Sequence, residues 1–251
     1  MNMLQALKNR IRRQQLFRRG IVPELRPSTV TAGARSGIWT HCPDGLGANS
    51  VVYSFGVGDN LAWECSVVES LGLTLHAFDP TPASVAWVAR QTLPPNLHFH
   101  PVGLAGHDGA VDFALPRRGS RFNYRAPVHL KGMSAETVSA PVARLATHMK
   151  RLGHEWIDVL KLDIEGGEYA ALDDLLTRRV PVRQLLVEFH HHFPGACLDR
   201  TVAAIDGLRR AGFRIFHISE RGLEMSFLNV GGIGGLVGSA PELRGQAILG
   251  H

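Results

Sequence analysis

The sequence lacks the features that would place it in a membrane or mark it for secretion. Its 251 residues contain no apolar run near the roughly 18 residues that a membrane-spanning helix needs. Its first residues lack the basic segment, apolar core and small-residue cleavage site of a secretory signal. Hydrophobic residues make up 45% of the chain and charged residues 20%, which excludes an intrinsically disordered chain. We therefore predict a soluble, cytoplasmic globular protein.

Cysteine is also scarce. Cys42, Cys65 and Cys197 lie far apart, and no CxxC pair is present. Disulfide frameworks and structural zinc sites need closer or more regular spacing than this. We predict three reduced thiols in the core, and the sequence assigns no residue as a metal ligand.

Acidic residues are absent from the first twenty positions, although the formal net charge of the chain is only +5. Six of the 27 basic residues fall there, so the rest of the chain carries 21 basic against 22 acidic residues and is close to neutral. Apolar residues recur among these arginines at approximately helical spacing: Leu4, Leu7, Ile11 and Phe17. The sequence therefore divides into a basic amphipathic helix (1–20) suited to an anionic surface, a lead-in segment (21–50), a main domain (51–230) and a glycine-rich tail (231–251).

Short apolar runs alternate with helical patterns from Val51 onward, which is typical of β-α-β units around a parallel sheet. The predicted strands are 51–55, 73–78, 96–100, 157–162 and 184–189, followed by a closing antiparallel pair at 213–218 and 223–228. A hairpin is predicted around Gly109. The stretch 117–140 is the least regular part and is predicted to be a loop, which at that length is often functional.

A glycine turn follows the first of these strands. Gly56 and Gly58 lie where a parallel strand ends and a helix begins, and open α/β folds bind nucleotides at this edge of the sheet. Asp79 ends the second strand, where a carboxylate can accept hydrogen bonds from ribose hydroxyls. The third glycine of the dinucleotide pattern is missing, because position 61 is Leu. A nucleoside ligand without a pyrophosphate fits this pattern, and S-adenosylmethionine (SAM) is such a ligand.

Acidic and histidine side chains end the next two strands. The run from Lys161 to Glu168 places Asp163, Glu165 and Glu168 in a tight Gly-Gly turn, and the following strand ends in three consecutive histidines, 190–192. Histidine titrates near neutral pH and is the usual general base. We predict that Lys161 pairs with Asp163, since both alternate onto one face of the strand.

These runs resemble the FkbM-type SAM-dependent methyltransferases and the methyltransferase-like 24 branch near them. The resemblance spans about residues 51–229, and its most specific run is Lys161-Leu162-Asp163-Ile164-Glu165-Gly166-Gly167-Glu168. It implies a class I methyltransferase (Rossmann-like) α/β fold, with a seven-stranded mostly parallel sheet, an antiparallel last strand and helices on both faces. The main domain would then be the SAM-binding domain.

The resemblance also implies site residues. Gly56 and Gly58 would approach the methionine end of SAM, Asp79-Pro80 would hold the ribose, Gly103 and Leu104 would lie near the adenine, and Asp163 would face the reaction centre. Ser54 replaces the acid that opens the common glycine motif, so Asp59 and Glu64 are both candidates to contact the methionine amine.

Such a site is well supplied with bases, namely Asp163, Glu165, His191 and His192. We expect O-methylation of a hydroxyl on a sugar-like or secondary-metabolite small molecule, with His191 or His192 removing the proton. The same groups could instead hold Mg²⁺ or Mn²⁺. Two other functions remain open. One is a nucleic-acid or peptide methyltransferase that uses the basic start and the arginines of 117–125. The other is a non-catalytic module that docks through residues 1–20.

Overall fold

A seven-stranded sheet forms the centre of the molecule, for which a computed structural model describes residues 3–35, 37–116, 133–193 and 197–231. The helices are α1 (Met3–Arg18), α2 (Ala62–Leu71), α3 (Pro82–Val88), α4 (Leu145–Leu152), α5 (Glu168–Arg178) and α6 (Leu198–Arg210). The strands are β1 (Val30–Ala34), β2 (Gly37–His41), β3 (Val51–Phe55), β4 (Thr74–Phe78), β5 (Leu97–His100), β6 (Gly103–Leu104), β7 (Gly109–Pro116), β8 (Met133–Ala143), β9 (Ile157–Leu162), β10 (Val182–Glu188), β11 (Phe213–Ile218) and β12 (Glu224–Asn229).

The strand order in the central sheet is β5-β4-β3-β9-β10-β12-β11. All its pairings are parallel except those of β12, which runs antiparallel between β10 and β11. In this register Val52 lies between Leu75 of β4 and Val159 of β9. The predicted fold class is confirmed, including the antiparallel last strand.

Helices cover both faces of this sheet because its strands are apolar on both sides. Successive residues of one strand enter opposite cores: Leu160 packs in the cluster with α4, α5 and α6, whereas Val159 packs in the cluster with α2 and α3. This alternation explains why the strands appear in the sequence as continuous apolar runs.

Two small sheets lie beside the central one. β1 and β2 form an antiparallel hairpin inside the lead-in segment. β8 lies between β6 and β7, so Gly109 opens a strand that pairs with β8 instead of forming the predicted hairpin. The loop prediction is therefore wrong for Met133–Ala140, which belongs to β8, while 117–132 lie outside the described residues. The strand was detectable in the sequence, since apolar Val138, Ala140 and Val142 alternate with Thr137, Ser139 and Pro141.

Helix α1 packs on the body of the protein through one face, on which Asn9 and Leu16 are buried. Leu16 is 1% exposed and belongs to the main core, whereas Leu7 and Ile11 are about half exposed. Arg12 Nη1 donates a hydrogen bond to the carbonyl oxygen of Arg221, 2.5 Å away. The basic start of the chain therefore packs on the turn between β11 and β12.

Two further sequence predictions concern cysteines and the tail. Cys42 is buried and Cys65 half-buried, but Cys197 is exposed, so the prediction of a core thiol is wrong there. The predicted glycine-rich tail falls outside the described residues beyond Gly231. Among the described helices, none combines the length and apolar character needed to cross a bilayer.

Candidate functional site

A cavity of about 730 Å³ opens where the parallel strands β3, β4 and β9 end. Its volume falls within the roughly 300–1,000 Å³ of small-molecule sites. Most of the predicted cofactor and catalytic residues line it, namely Gly56, Gly58, Asp59, Asp79, Pro80, Gly103, Leu104, Asp163 and Glu165. Ser54, His191 and His192 are not among the lining residues.

The glycine turn touches the end of β9 directly. Gly56 has φ +92° and Gly58 has φ +56°, a backbone region in which side chains are strained. A Cβ atom on Gly56 would lie 1.7 Å from the carbonyl oxygen of Asp163. Asp163 N in turn donates to the Phe55 carbonyl oxygen at 2.9 Å. Glycine at position 56 therefore lets the loop and the acidic turn share one wall of the cavity.

Asp79 holds the glycine turn in place. Its Oδ2 accepts hydrogen bonds from the backbone N–H groups of Val57 and Gly58, each at 3.0 Å. Its Oδ1 accepts from the backbone N–H of Thr81 at 3.0 Å and from the Thr81 hydroxyl at 2.6 Å. Four donors match the roughly four acceptor positions of a carboxylate. Asp79 thus fixes the loop's shape from the place where the sequence predicts a ribose contact.

Lys161 pairs with Glu64 and not with Asp163, which corrects the sequence prediction. Lys161 Nζ lies 3.1 Å from Glu64 Oε1 and donates to the Gly56 carbonyl oxygen at 3.0 Å. The Ser54 hydroxyl donates to the same Glu64 oxygen at 2.6 Å. β9 ends at Leu162, so the strand alternation that would align Lys161 with Asp163 ends before Asp163. The Ser54 hydroxyl is therefore engaged by buried Glu64, and Ser54 does not line the cavity.

His190 lies among four carboxylates. Its Nε2 is 3.8 Å from Asp163 Oδ1, 3.8 Å from Glu165 Oε2 and 3.9 Å from Glu188 Oε1, and its Nδ1 is 3.4 Å from Glu168 Oε2. Burial alone would lower the pKa of His190, but the carboxylates, Glu168 first, raise it to about 10. The imidazole ring of His190 is therefore positively charged at neutral pH as the protein stands.

Glu168 is fully buried at the start of α5 and orients the ring. Its Oε1 accepts from His190 N and its Oε2 from Gly166 N, both at 2.8 Å. Burial works to raise the pKa of Glu168, but the charge of His190 and the hydrogen bonds outweigh it, and the net shift is downward. Glu168 is therefore an ionised partner on the inner side of the histidine.

Glu188 reaches the cavity from the end of β10. Arg221 bridges it to Glu224, with Nη2 2.9 Å from Glu188 Oε1 and Nη1 2.6 Å from Glu224 Oε1. Burial, then the nearby Asp163 and Glu224, raise the pKa of Glu188 to about 8, against the opposing charges of His190 and Arg221. Negative charge is thus crowded at this wall.

The sequence did not single out His190, Glu188 or Arg221 as site residues. A signal for Glu188 was available, since an acid at the end of an apolar parallel strand lies at the same edge of the sheet as the end of β9. His190 lies beyond the end of β10, so strand alternation does not place it. His191 and His192, which were favoured as bases, follow in a turn outside the lining. Burial and the charges of Arg12 and His190 lower the pKa of His191 to about 4.

Comparisons with known proteins point to one group. A family model described as "Methyltransferase FkbM domain" matches residues 32–215. Proteins described as "Probable methyltransferase-like protein 24" from Rattus norvegicus and Homo sapiens are each 27% identical over 177 residues, covering 66% of this chain and 42% of theirs. A solved methyltransferase FkbM from Methylobacillus flagellatus KT aligns with a TM-score of 0.44 and 12% identity over 72% of this chain and 43% of that one. The chain thus spans less than half the length of these relatives.

Proposed function

This chain belongs to the FkbM methyltransferase family, and we propose that it transfers the methyl group of SAM to a hydroxyl oxygen of a sugar-like or secondary-metabolite small molecule. The observation that carries the proposal is the cavity itself. Its lining includes the glycine turn, which touches the acidic turn of Asp163 and Glu165 directly, and also Glu188. A nucleoside-type cradle and a set of proton acceptors therefore lie side by side.

The residues present fit SAM. The turn at Gly56 and Gly58 leaves backbone close to the cavity, and only residues without a Cβ pass so near to β9. Gly103 packs closely on Pro80, since a Cβ on Gly103 would lie 2.8 Å from Pro80 Cγ, and both residues line the cavity together with Leu104, where we place the purine ring. We assign the methionine amine to Asp59, which lines the cavity and has only a loose, solvent-exposed pair with Arg35 at 3.7 Å, since Glu64 is engaged by buried Lys161 at 3.1 Å.

When bound, SAM supplies an electrophilic methyl group on a sulfonium. The chain must hold the acceptor oxygen in line with that methyl group, and such orientation can supply about 7–11 kcal/mol of the barrier. As the new C–O bond forms and the S–C bond breaks, the hydroxyl proton has to leave. We assign its acceptor to the carboxylates that line the cavity, with Asp163 nearest to the glycine turn. His191 and His192 lack that position.

Calorimetric titration with SAM tests the cofactor. Wild-type protein should bind SAM, and Asp79→Asn should weaken binding about 10–100-fold, because an amide cannot replace the charge-assisted bonds, worth about 1.5–3 kcal/mol, that shape the glycine turn. Asp173→Asn, an exposed carboxylate of α5, is the matched control and should bind as wild type does. Absence of SAM binding to the wild type would overturn the proposal.

A methyl-transfer screen tests the acceptor. With methyl-labelled SAM, label should enter hydroxyl-bearing sugars or phenolics, and the product should be an ether that resists mild base. Label that enters only RNA or only peptides would contradict the small-molecule assignment.

A further inference from the structure

We propose that Asp163, Glu165 and His190 bind one divalent cation, for which Mn²⁺ is the best match, at the acceptor end of the cavity. One ligand atom from each of these three residues falls within 4.8 Å of the others. Within the described residues they form the one such group of three or more histidine, cysteine or acidic side chains.

The separations suit a shared ion. Two ligand atoms bound to one octahedral ion at about 2.1 Å lie roughly 3.0 Å apart when adjacent and about 4.2 Å apart when opposite. His190 Nε2 is 3.8 Å from an oxygen of Asp163 and 3.8 Å from an oxygen of Glu165. These distances are too long for hydrogen bonds and lie inside the range that an intervening ion would impose.

His190 is aimed at this point and held there. Its side chain is 3% exposed, and Glu168 Oε2 lies 3.4 Å from Nδ1, on the opposite side of the ring from Nε2. A carboxylate behind a metal-binding histidine fixes the ring's orientation and its tautomer, leaving the other nitrogen for the metal. The cation would displace the proton from Nε2, while Nδ1 keeps its proton toward Glu168.

The ligand types narrow the choice of cation. Two carboxylates favour a hard ion such as Mg²⁺, Ca²⁺ or Mn²⁺ over the softer metals that seek thiolates. The imidazole nitrogen disfavours Mg²⁺ and Ca²⁺, which prefer oxygen throughout. Mn²⁺ accepts both kinds of ligand. Three protein ligands also leave about three positions of an octahedral ion open. Asp163 and Glu165 line the cavity, whereas His190 does not, so we place the open positions on the cavity side of the ion.

The open positions define the substrate class, an inference that rests on the proposed methyl transfer. An ion with adjacent open positions binds an acceptor that carries two neighbouring oxygens, such as a vicinal diol or a hydroxy acid. Bound in this way, the hydroxyl to be methylated loses its proton more easily, because the cation stabilises the alkoxide. The proton then passes to Glu188, the carboxylate of this wall that is not a metal ligand. An acceptor with an isolated hydroxyl gains less.

Binding of Mn²⁺ alone tests the site without any turnover. The 251-residue protein is stripped with EDTA, desalted and titrated with MnCl₂, and free Mn²⁺ is followed by electron paramagnetic resonance. We expect one ion per chain, and affinity at least about tenfold lower in Glu165→Gln and in Glu168→Gln, the latter through the ring it orients. Asp112→Asn, an exposed carboxylate on the β7 side of the cavity, should bind Mn²⁺ as wild type does.

The outcomes separate this inference from the proposed function. Wild-type protein that binds no Mn²⁺, or Glu165→Gln and Asp112→Asn proteins that bind equally well, would overturn the metal site. Methyl transfer that continues at full rate in excess EDTA would also overturn it while leaving the function intact. One Mn²⁺ per chain with no SAM binding would leave the metal site standing and refute the function. Glu165 is 20% exposed whereas Glu168 is fully buried, so Glu165→Gln is less apt to impair folding than Glu168→Gln.

Discussion

Gly56 is the residue at which the two halves of the site meet. Its positive φ and the 1.7 Å approach of a Cβ to the Asp163 carbonyl oxygen leave no other residue type room at this position. The glycine turn, whose shape Asp79 fixes, therefore meets the acidic turn at this one close contact. A change here should disturb both the binding of SAM and the stability of the protein.

We expect Gly56→Ala to lower the free energy of unfolding by about 2–4 kcal/mol, from left-handed backbone strain together with overpacking. It should also abolish SAM binding in a calorimetric titration. Gly72→Ala is the matched control, since Gly72 has φ +64° but no atom within 4 Å of its Cβ position. That variant should lose only about 1–2 kcal/mol in urea unfolding and bind SAM normally. Equal effects of the two variants would refute the close-contact explanation.

Individual residues were predictable where chain geometry alone places them. Gly56, Asp79 and Asp163 lie at the ends of strands that the sequence shows plainly, so their convergence on one cavity could be predicted. The partner of Lys161 could not, because Glu64 comes from helix α2, nearly a hundred residues earlier, and only the packing of α2 on the sheet brings the two together. Which of the three consecutive histidines lies beside Asp163 and Glu165 likewise depends on where β10 ends, and the sequence does not fix that residue.

At the scale of elements, a buried ion pair joins helix α2 to strand β9. The side chains of Lys161 and Glu64 are 4% and 2% exposed, and their nitrogen and oxygen lie 3.1 Å apart. Removing one partner of such a pair leaves an unpaired buried charge, which is far more damaging than removing both.

We expect Lys161→Met to lower the free energy of unfolding by about 3–5 kcal/mol, and a Lys161→Met/Glu64→Leu double variant to recover most of that loss. The measurement is urea unfolding of the two single variants and the double variant as a thermodynamic cycle. Arg178→Met removes a half-exposed partner of Asp174 on α5 and leaves Asp174 its second partner, Arg144, at 3.4 Å, so stability should change by less than about 0.5 kcal/mol. If the double variant is no more stable than Lys161→Met, the pair is not what holds α2 to β9.

Elements were predictable to the extent that they are buried on both faces. β3 and β9 begin and end at the predicted residues, because each is a short, mostly apolar run with polar residues or glycine after it. The β1–β2 hairpin was missed, since four of the five residues of β1 are exposed and its pairing with β2 is local. β8 was missed despite its alternating residues, because its partner β7 ends at Pro116 and the pairing spans the long segment 117–132.

At the scale of the whole molecule, a group of histidines at the β5 side of the sheet makes stability depend on pH. His76 is buried, its Nδ1 lies 3.0 Å from His100 Nε2, and the rings of His98 and His154 stand 5.4 Å and 5.3 Å from its own. Burial first, and then these neighbours, lower the pKa of His76 to about 4. The pKa values of His100 and His154 are lowered too, mainly by burial.

The free energy of unfolding should therefore fall as the pH is lowered from 7 to 5. In this range His76 is protonated in the unfolded chain, where its pKa is about 6.5, but stays neutral in the folded protein. The unfolded state therefore binds more protons, and lowering the pH favours unfolding. Urea unfolding at a series of pH values measures the slope. His76→Gln should reduce it by at most about one proton, whereas His107→Gln, on an exposed turn, should leave it unchanged. A slope of zero or of opposite sign in the wild type would refute the prediction.

The position of β12 inside the sheet has a consequence for synthesis of the chain. β11 has no partner strand among the described residues until β12 has emerged and inserted beside β10. A nascent or truncated chain that stops before Glu224 therefore presents β10 as a long apolar edge, which other chains can join. Shortened products are expected to aggregate instead of retaining partial activity. The six residues of β12 therefore decide whether the edge of β10 is covered.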